Sequence, residues 1–304
     1  MSVVDPAFAA GSIERPGGHG LTALCNPYRL DGRVSTHPVD ARGWAPMNVY
    51  ALREGDHLMV LDSGLAVHRR TLLEQLATLI DADTKLTLVP FRQGELNSLA
   101  NFGPIAERFG AFRVLGDYFG PPHEWLDFLP GSPGIDVIER ASVERFATTG
   151  SIRIDPDRPH ALKTMVPPIW LLPYSWAYDA ESQTLFTPDV FTWVTRSSPN
   201  GPWIVRDGDD DTTFEQVWHA MTANMFWWIP GARTGQMRQD LAELFDRHDV
   251  ETIAPGYGCV LSGRAVVERH VSHLDAVLAR AAETRPHGVE MGAWRQDTTN
   301  QVNA

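Results

Sequence analysis

The chain has 304 residues, 43% of them hydrophobic and 21% charged, with a formal charge of −12, a profile that suits a soluble globular protein with a sizeable core. Its acidic balance disfavours nucleic acid and anionic membrane as partners, and no run of about 18 apolar residues predicts a transmembrane helix. The first residues, MSVVDPAFAAGSIERPGG, lack a basic start followed by an apolar stretch, so no export signal is read and a cytoplasmic location with Cys25 and Cys259 as reduced thiols is expected.

Residues 1–45, rich in Gly, Pro and Arg, read as a loosely structured N-terminal arm. The first firm elements are Met47–Leu52 and His57–Asp62, a hairpin that runs into Asp62-Ser63-Gly64. Thr71–Ile80 has helical spacing, with Leu72, Leu73, Leu76, Leu79 and Ile80 on one side. Lys85–Phe91 is a strand, Asn97–Phe109 a helix interrupted at Gly103-Pro104, and Phe112–Gly116 a strand. Gly120–Pro133 is Pro-rich and aromatic and reads as a long loop over a site. Ile135–Glu139, Ser151–Asp155 and Ala161–Val166 are short strand candidates, and Thr184–Phe191 is a further strand or strand end. Helices follow at Thr213–Trp228, Gln236–His248 and Arg264–Thr284, with a strand at Thr252–Pro255 between the last two. Two halves of strands, each with helices outside, give an α/β fold of the αββα sandwich type. A single domain over residues 46–290 and a polar tail at 291–304 complete the expected organisation.

Three segments carry a resemblance. Asn48-Val49-Tyr50 through Asp62-Ser63-Gly64 is similar to an N-x-Y hairpin followed by a D-[ST]-G turn. Leu88–Phe109 resembles the strand, loop and helix around an H-x-E-x-D-H-x-G motif. Trp176–Asp179 with Leu185–Phe191 resembles a W-x-Y segment and an L-F-[ST]-x-D-x-F strand. Ile253–Gly258 adds a weaker match to I-A-P-x-H-G. Together they resemble the metallo-β-lactamase superfamily, closest to its flavodiiron and oxygen-binding diiron branch. The resemblance implies a sandwich with a dinuclear metal site at one edge.

Aligned on those motifs, the first His becomes Phe91, the Glu becomes Gln93, the Asp becomes Glu95 and the second His becomes Leu96. The third His falls in residues 169–173, which contain none. The bridging Asp is kept as Asp189, and the last His becomes Tyr257. Phe and Leu bind no metal ion, and two carboxylates alone hold one weakly. No metal, no cofactor and no flavodoxin-like electron donor is therefore expected.

Each candidate also has a bland reading. Asp62 is expected to be architectural. Glu95 precedes a helix and could be a cap or dipole partner, or it could face the former metal cavity. Asp189 emerges from an apolar strand, where a buried carboxylate near Glu95 could act as a general acid. Tyr257, between two glycines, is either a turn aromatic or a cavity hydroxyl. His123 is the best histidine outside the motif, since its loop should overhang the cavity. His270 and His273 are expected at the margin and on the solvent side of the last helix, and the stripe Phe214, Val217, Trp218, Met221 and Met225 as core.

The leading expectation is an enzyme acting without a dinuclear metal on a small, largely apolar or aromatic molecule by carboxylate acid/base chemistry. Glu95, Asp189 and Tyr257 would be catalytic, and Phe91, Gln93, Leu96, Trp170, Tyr174 and His123 would bind the substrate. Two readings stay open beside it: a non-catalytic ligand-binding or regulatory relative of a diiron protein, and a metalloenzyme holding iron or zinc with rearranged ligands. A homo-oligomer is compatible with all three.

Overall fold

A computed structural model describes residues 8–16, 20–116, 122–125, 134–170 and 174–285, with the side chains of His123 and Trp125 left aside. The first sheet has seven strands in chain order: β1 (Ser12–Glu14), β2 (Leu21–Leu30), β3 (Gly43–Glu54), β4 (His57–Leu61), β5 (Lys85–Val89), β6 (Arg113–Gly116) and β7 (Ser142–Arg145). Its first four strands pair antiparallel and the rest parallel. The parallel part needs crossovers, and these are α1 (Arg69–Leu76), α2 (Leu96–Leu99) with α3 (Phe102–Phe109), and α4 (Ile135–Arg140).

The second sheet also has seven strands. It contains β8 (Gly150–Arg153), β9 (Ala161–Met165), β10 (Trp176–Asp179), β11 (Thr184–Phe186), β12 (Ile204–Val205), β13 (Thr252–Ala254) and β14 (Val260–Ser262), in the order β12-β14-β13-β11-β10-β9-β8. Its helices are α5 (Phe214–Thr222), α6 (Gly235–Arg247) and α7 (Arg264–Glu283). A capping box starts α5: Thr213 accepts from the Gln216 amide, and the Gln216 side chain accepts from the Thr213 amide. In α7, Val267, His270, Leu274, Leu278 and Ala281 recur at helical spacing and are buried.

The strand period of two sorts side chains between layers. In β4, Met59 and Leu61 enter the core shared with the second sheet, while Leu58 and Val60 pack under α1 and α3 with Leu72, Leu76, Phe102 and Ile105. β3 does the same, with Tyr50 and Leu52 inward and Val49 and Ala51 outward. The result is the expected αββα sandwich.

Several expectations are corrected. The segment read as a loose arm contributes two strands, and β2 is buried along almost its whole length. Pro27 hid it from view. Pro27 faces Pro46 across the ladder, a rung where neither residue has an N–H to lose. Ile135–Glu139 is a helix and not a strand. Its β-branched residues suggested extension, but Ile135 and Ile138 at i, i+3 pack against the outer layer, and Asp136 pairs with Arg140 at i, i+4 (2.8 Å). The helix break falls at Ala100-Asn101, which leaves Pro104 in the first turn of α3, where proline is tolerated. α5 stops at Thr222, before the aromatic run 226–228. The short strands β7, β12 and β14 were not anticipated. Among the described residues no helix is long and apolar enough to cross a membrane.

Candidate functional site

The carboxyl ends of β4, β5, β11 and β13 meet at one edge of the sandwich. After β4 the chain turns at Asp62, whose φ is 62°, a left-handed conformation that Asp tolerates better than most residues. Its side chain repays the strain. Oδ1 accepts from the Phe91 amide (2.8 Å) and from the Ser98 hydroxyl, and Oδ2 lies 3.2 Å from both Nε and Nη2 of Arg92. Asp62 is thus architectural, as expected, and it fixes the loop 91–98 that follows β5.

The opposite wall is the turn after β13. Asn48 donates to the carbonyls of Pro255 (2.9 Å) and Gly258 (2.8 Å), and Tyr50 donates to Pro255 (2.6 Å). The N-x-Y pair of the first sheet therefore clamps a turn of the second. A third wall is the tight turn after β11, in which Val190 donates to Thr187 (2.8 Å) and the Thr187 hydroxyl returns a bond to Val190 (2.8 Å). This turn presents Asp189.

At the centre stands Arg92, only 2% exposed. Its Nη1 is 3.5 Å from Asp189 Oδ1 and 3.7 Å from Glu95 Oε2, and its Cζ sits 5.6 Å from the centre of the Tyr257 ring. Burial opposes its charge, but Asp62, Glu95 and Asp189 outweigh that and hold its pKa above the ordinary value. Asp189 is also buried, and its Oδ2 has no hydrogen-bond partner among the described residues. Burial first, and the Glu95 charge second, push its pKa up to about 8. Glu95 is partly exposed, its side-chain accessibility 21%, and accepts from Asn97 (2.9 Å). Glu95 is the N-cap residue of α2 but makes no side-chain cap bond, so the capping reading is set aside.

The other expected residues divide. Tyr257 is buried, its hydroxyl donates to the sulfur of Met225 (2.8 Å), and burial followed by the Asp189 and Glu95 charges keeps it protonated. Tyr174 is buried in the same field and donates to Ile169 (3.4 Å). Gln93 is fully buried in the loop. Phe91 is not a cavity wall: its ring enters the shared core beside Phe186 and Phe146, at 6.2 and 6.4 Å. Leu96 and Trp170 are 49% and 48% exposed and stand at the surface, not as buried lining. His123 lies in the 3-10 turn Pro122–Trp125, but its side chain is outside the described residues.

Arg92 was not anticipated. One signal was available: it is the only basic residue between Lys85 and Arg108, on a loop leaving a buried strand. His270 was misplaced as well. It is fully buried, accepts from Trp193 Nε1 (2.9 Å) and has Nε2 3.2 Å from Asp210. His37 touches the site from behind, edge-on to Tyr257 at 5.5 Å, but its nitrogens face Tyr28 (3.1 Å) and Thr192 (3.2 Å). At the other end of β4, Asp56, His57 and Asp155 bring three ligand atoms within 4.8 Å of one another. Lys85 already pairs with Asp56 (2.9 Å) and Arg158 with Asp155 (3.2 Å).

No protein-family profile and no curated protein matches this sequence. Solved structures do match in shape. The rubredoxin oxygen:oxidoreductase from Desulfovibrio gigas aligns with 89% of this chain and 61% of its own, at a TM-score of 0.64 and 14% identity. The flavodiiron protein from Giardia intestinalis aligns with 90% of this chain and 60% of its own, at 0.61 and 17%. A fragment of a diflavin flavoprotein from Nostoc aligns with 90% of this chain and 97% of its own, at 0.65 and 14%. The chain thus spans about three fifths of the length of the full flavodiiron proteins it matches. At these identities the likeness is one of fold: the chain has the metallo-β-lactamase-type αββα sandwich of the flavodiiron core.

Proposed function

We propose that this is a degenerate metallo-β-lactamase-fold enzyme that works without a dinuclear metal, by carboxylate acid/base chemistry on a small, largely apolar or aromatic molecule. The donor set does not fit a dinuclear centre. Such a site needs several imidazole or carboxylate ligands free to converge on metal. Here Asp62, Glu95 and Asp189 converge on a guanidinium, and positions 91, 96 and 257 hold Phe, Leu and Tyr.

The observation that carries the reading is Asp189, a buried carboxyl with one unpartnered oxygen and a pKa pushed up to about 8. At neutral pH it keeps its proton and acts as a general acid. Once the proton leaves, Arg92 stabilises the carboxylate at 3.5 Å. Glu95, at the more exposed end of the cluster, takes a proton as the base. Tyr257, whose hydroxyl donates to a weak thioether acceptor, can turn that hydroxyl to a substrate oxygen. With three carboxyl groups gathered around one guanidinium, the site favours a neutral substrate over an anion. Half-exposed Leu96 and Trp170 offer it apolar surface.

Deuterium incorporation into small carbonyl and aromatic compounds in heavy water tests the reading. The parent chain is expected to label at least one compound, and Asp189→Asn to lose the labelling by about 100-fold or more while staying folded. Equal labelling by the variant overturns the assignment. A tightly bound molecule that both proteins retain without turnover favours the non-catalytic binding protein instead.

A further inference from the structure

A second group of polar side chains meets where β4 begins, at the opposite end of that strand from Asp62. Asp56 and His57 come from the turn into β4, and Asp155 from just beyond β8 in the other sheet. One ligand atom from each lies within 4.8 Å of the other two. His57 Nε2 is 3.5 Å from Asp155 Oδ1 and 3.9 Å from Asp56 Oδ1. Ligands of a tetrahedral zinc ion, each about 2.0–2.1 Å from the metal, stand roughly 3.4 Å apart. The Asp56 side chain, 48% exposed, is free to rotate and close the remaining gap. Backbone bonds fix the carriers: the Lys85 amide donates to the Asp56 carbonyl (2.8 Å), and the Arg158 amide to the Asp155 carbonyl (3.1 Å).

His57 is the residue that points to a ligand. It is only 4% exposed, its ring is held edge-on to Phe112 at 5.5 Å, and its Nδ1 has no hydrogen-bond partner among the described residues. Its Nε2 is too far from either carboxylate for a good hydrogen bond. A buried imidazole with both nitrogens poorly served is costly. A bare Nε2 would turn its lone pair toward two negative oxygens, which a cation between them makes favourable. Lys85 and Arg158 leave that space open. They take Oδ2 of Asp56 (2.9 Å) and Oδ2 of Asp155 (3.2 Å), so both Oδ1 atoms stay turned to His57. Asp155 Oδ1 also accepts from the Asp157 amide (2.9 Å) and keeps a second lone pair. Lys85 and Arg158 are 47% and 55% exposed. Water screens their charge, and their bonds orient the two carboxylates as second partners of metal ligands do.

We propose that Asp56, His57 and Asp155 form a mononuclear site for a divalent transition-metal ion of the zinc class, which ties the first sheet to the second at the end of the sandwich away from Asp189. One imidazole and two carboxylates suit such an ion better than Mg²⁺ or Ca²⁺, which prefer oxygen alone. Three protein ligands leave a fourth position for water. Because the ligands come from both sheets, the bound ion acts first on stability. The site and the Asp189 cluster lie at opposite ends of β4, so either proposal can fail without the other.

Zinc titration calorimetry on the full chain after chelator treatment, with circular dichroism as a fold check, tests this. The parent is expected to bind one Zn²⁺ per chain and to unfold at a higher temperature with it. His57→Gln and Asp155→Asn should each bind at least about 100-fold more weakly, and Asp56→Asn at least about 10-fold more weakly, with the thermal shift lost in step. His219→Asn, at an exposed histidine elsewhere, should bind as the parent does. Should either buried variant fail to fold, Asp56→Asn, whose side chain is half exposed, decides alone. A parent chain that takes up no stoichiometric Zn²⁺ overturns the proposal. So does binding that Asp56→Asn leaves unchanged, or binding that departs with His219→Asn or Asp189→Asn instead.

Discussion

The side-chain amide of Asn48 and the carbonyl of Gly258 are joined across the two sheets at 2.8 Å, 210 positions apart in sequence. With the second bond from the same amide to Pro255, this staples the turn that carries Tyr257 to the strand β3. Asn48→Ala removes both bonds and leaves the buried Gly258 carbonyl without its side-chain donor, while Pro255 keeps the bond from Tyr50, at a cost of about 1–3 kcal/mol. Tyr50→Phe removes one bond to the same Pro255 oxygen and costs about 1 kcal/mol. Because the two side chains share an acceptor, the double variant should depart from additivity by about 0.5 kcal/mol or more. Urea denaturation of the four proteins measures this, and strict additivity would show that the two bonds act separately.

Stability should peak near pH 6.5. Burial lowers His37, His68 and His270 from 6.5 to about 4, and burial with the Glu95 charge raises Asp189 from 3.8 to about 8. Between pH 4 and 6.5 the unfolded chain takes up three histidine protons that the folded one refuses, against one that only the folded Asp189 holds, so stability rises with pH. Between pH 6.5 and 8, of these four groups, Asp189 alone keeps a large difference, and stability falls. Asp189→Asn should flatten the alkaline limb and leave the acid limb in place. Denaturation midpoints at pH 5, 6.5 and 8 distinguish this from a profile that the variant leaves unchanged.

His270→Ala should cost about 2–4 kcal/mol, since it opens a cavity in the shared core and strands the Trp193 indole N–H. It should also make the acid limb shallower by one proton. A variant as stable as the parent, by thermal unfolding, would return His270 to the helix margin.

Cys25 and Cys259 are both buried thiols with pKa values raised by burial, Cys259 to about 12. Thiolate is the reactive form, so iodoacetamide at pH 8 should label neither in the native protein and both in denaturant. Mass spectrometry counts the adducts. Rapid native labelling of either one would place it in a segment that opens locally.

Layer architecture was legible in the sequence because its signals are periodic: leucines at helical spacing in α1, alternating apolar residues in β3 and β4, and a long amphipathic α7. Strands that depend on partners were not. β2 contains Pro27, whose missing donor costs little because the facing Pro46 carbonyl takes its bond from the Gly258 amide, and β12 has two residues. At the site, Asp189 and Glu95 came into view through the motif alignment, as the two carboxylates that remain at ligand positions of the resemblance, and both stand beside Arg92. Arg92 was overlooked because an arginine usually signals surface, and only the convergence of Asp62 and Asp189 from distant segments on the nearby Glu95 makes its burial tolerable. The half-exposed setting of Leu96 and Trp170 was hidden for the converse reason: an apolar residue gives no sign of which way it faces.

A charge carried on a side chain arrives with the polypeptide. It needs no uptake, insertion or repair, and a chelator cannot strip it. With Arg92 held by Asp62, Glu95 and Asp189, this edge of the protein carries its own positive charge from the moment the chain folds.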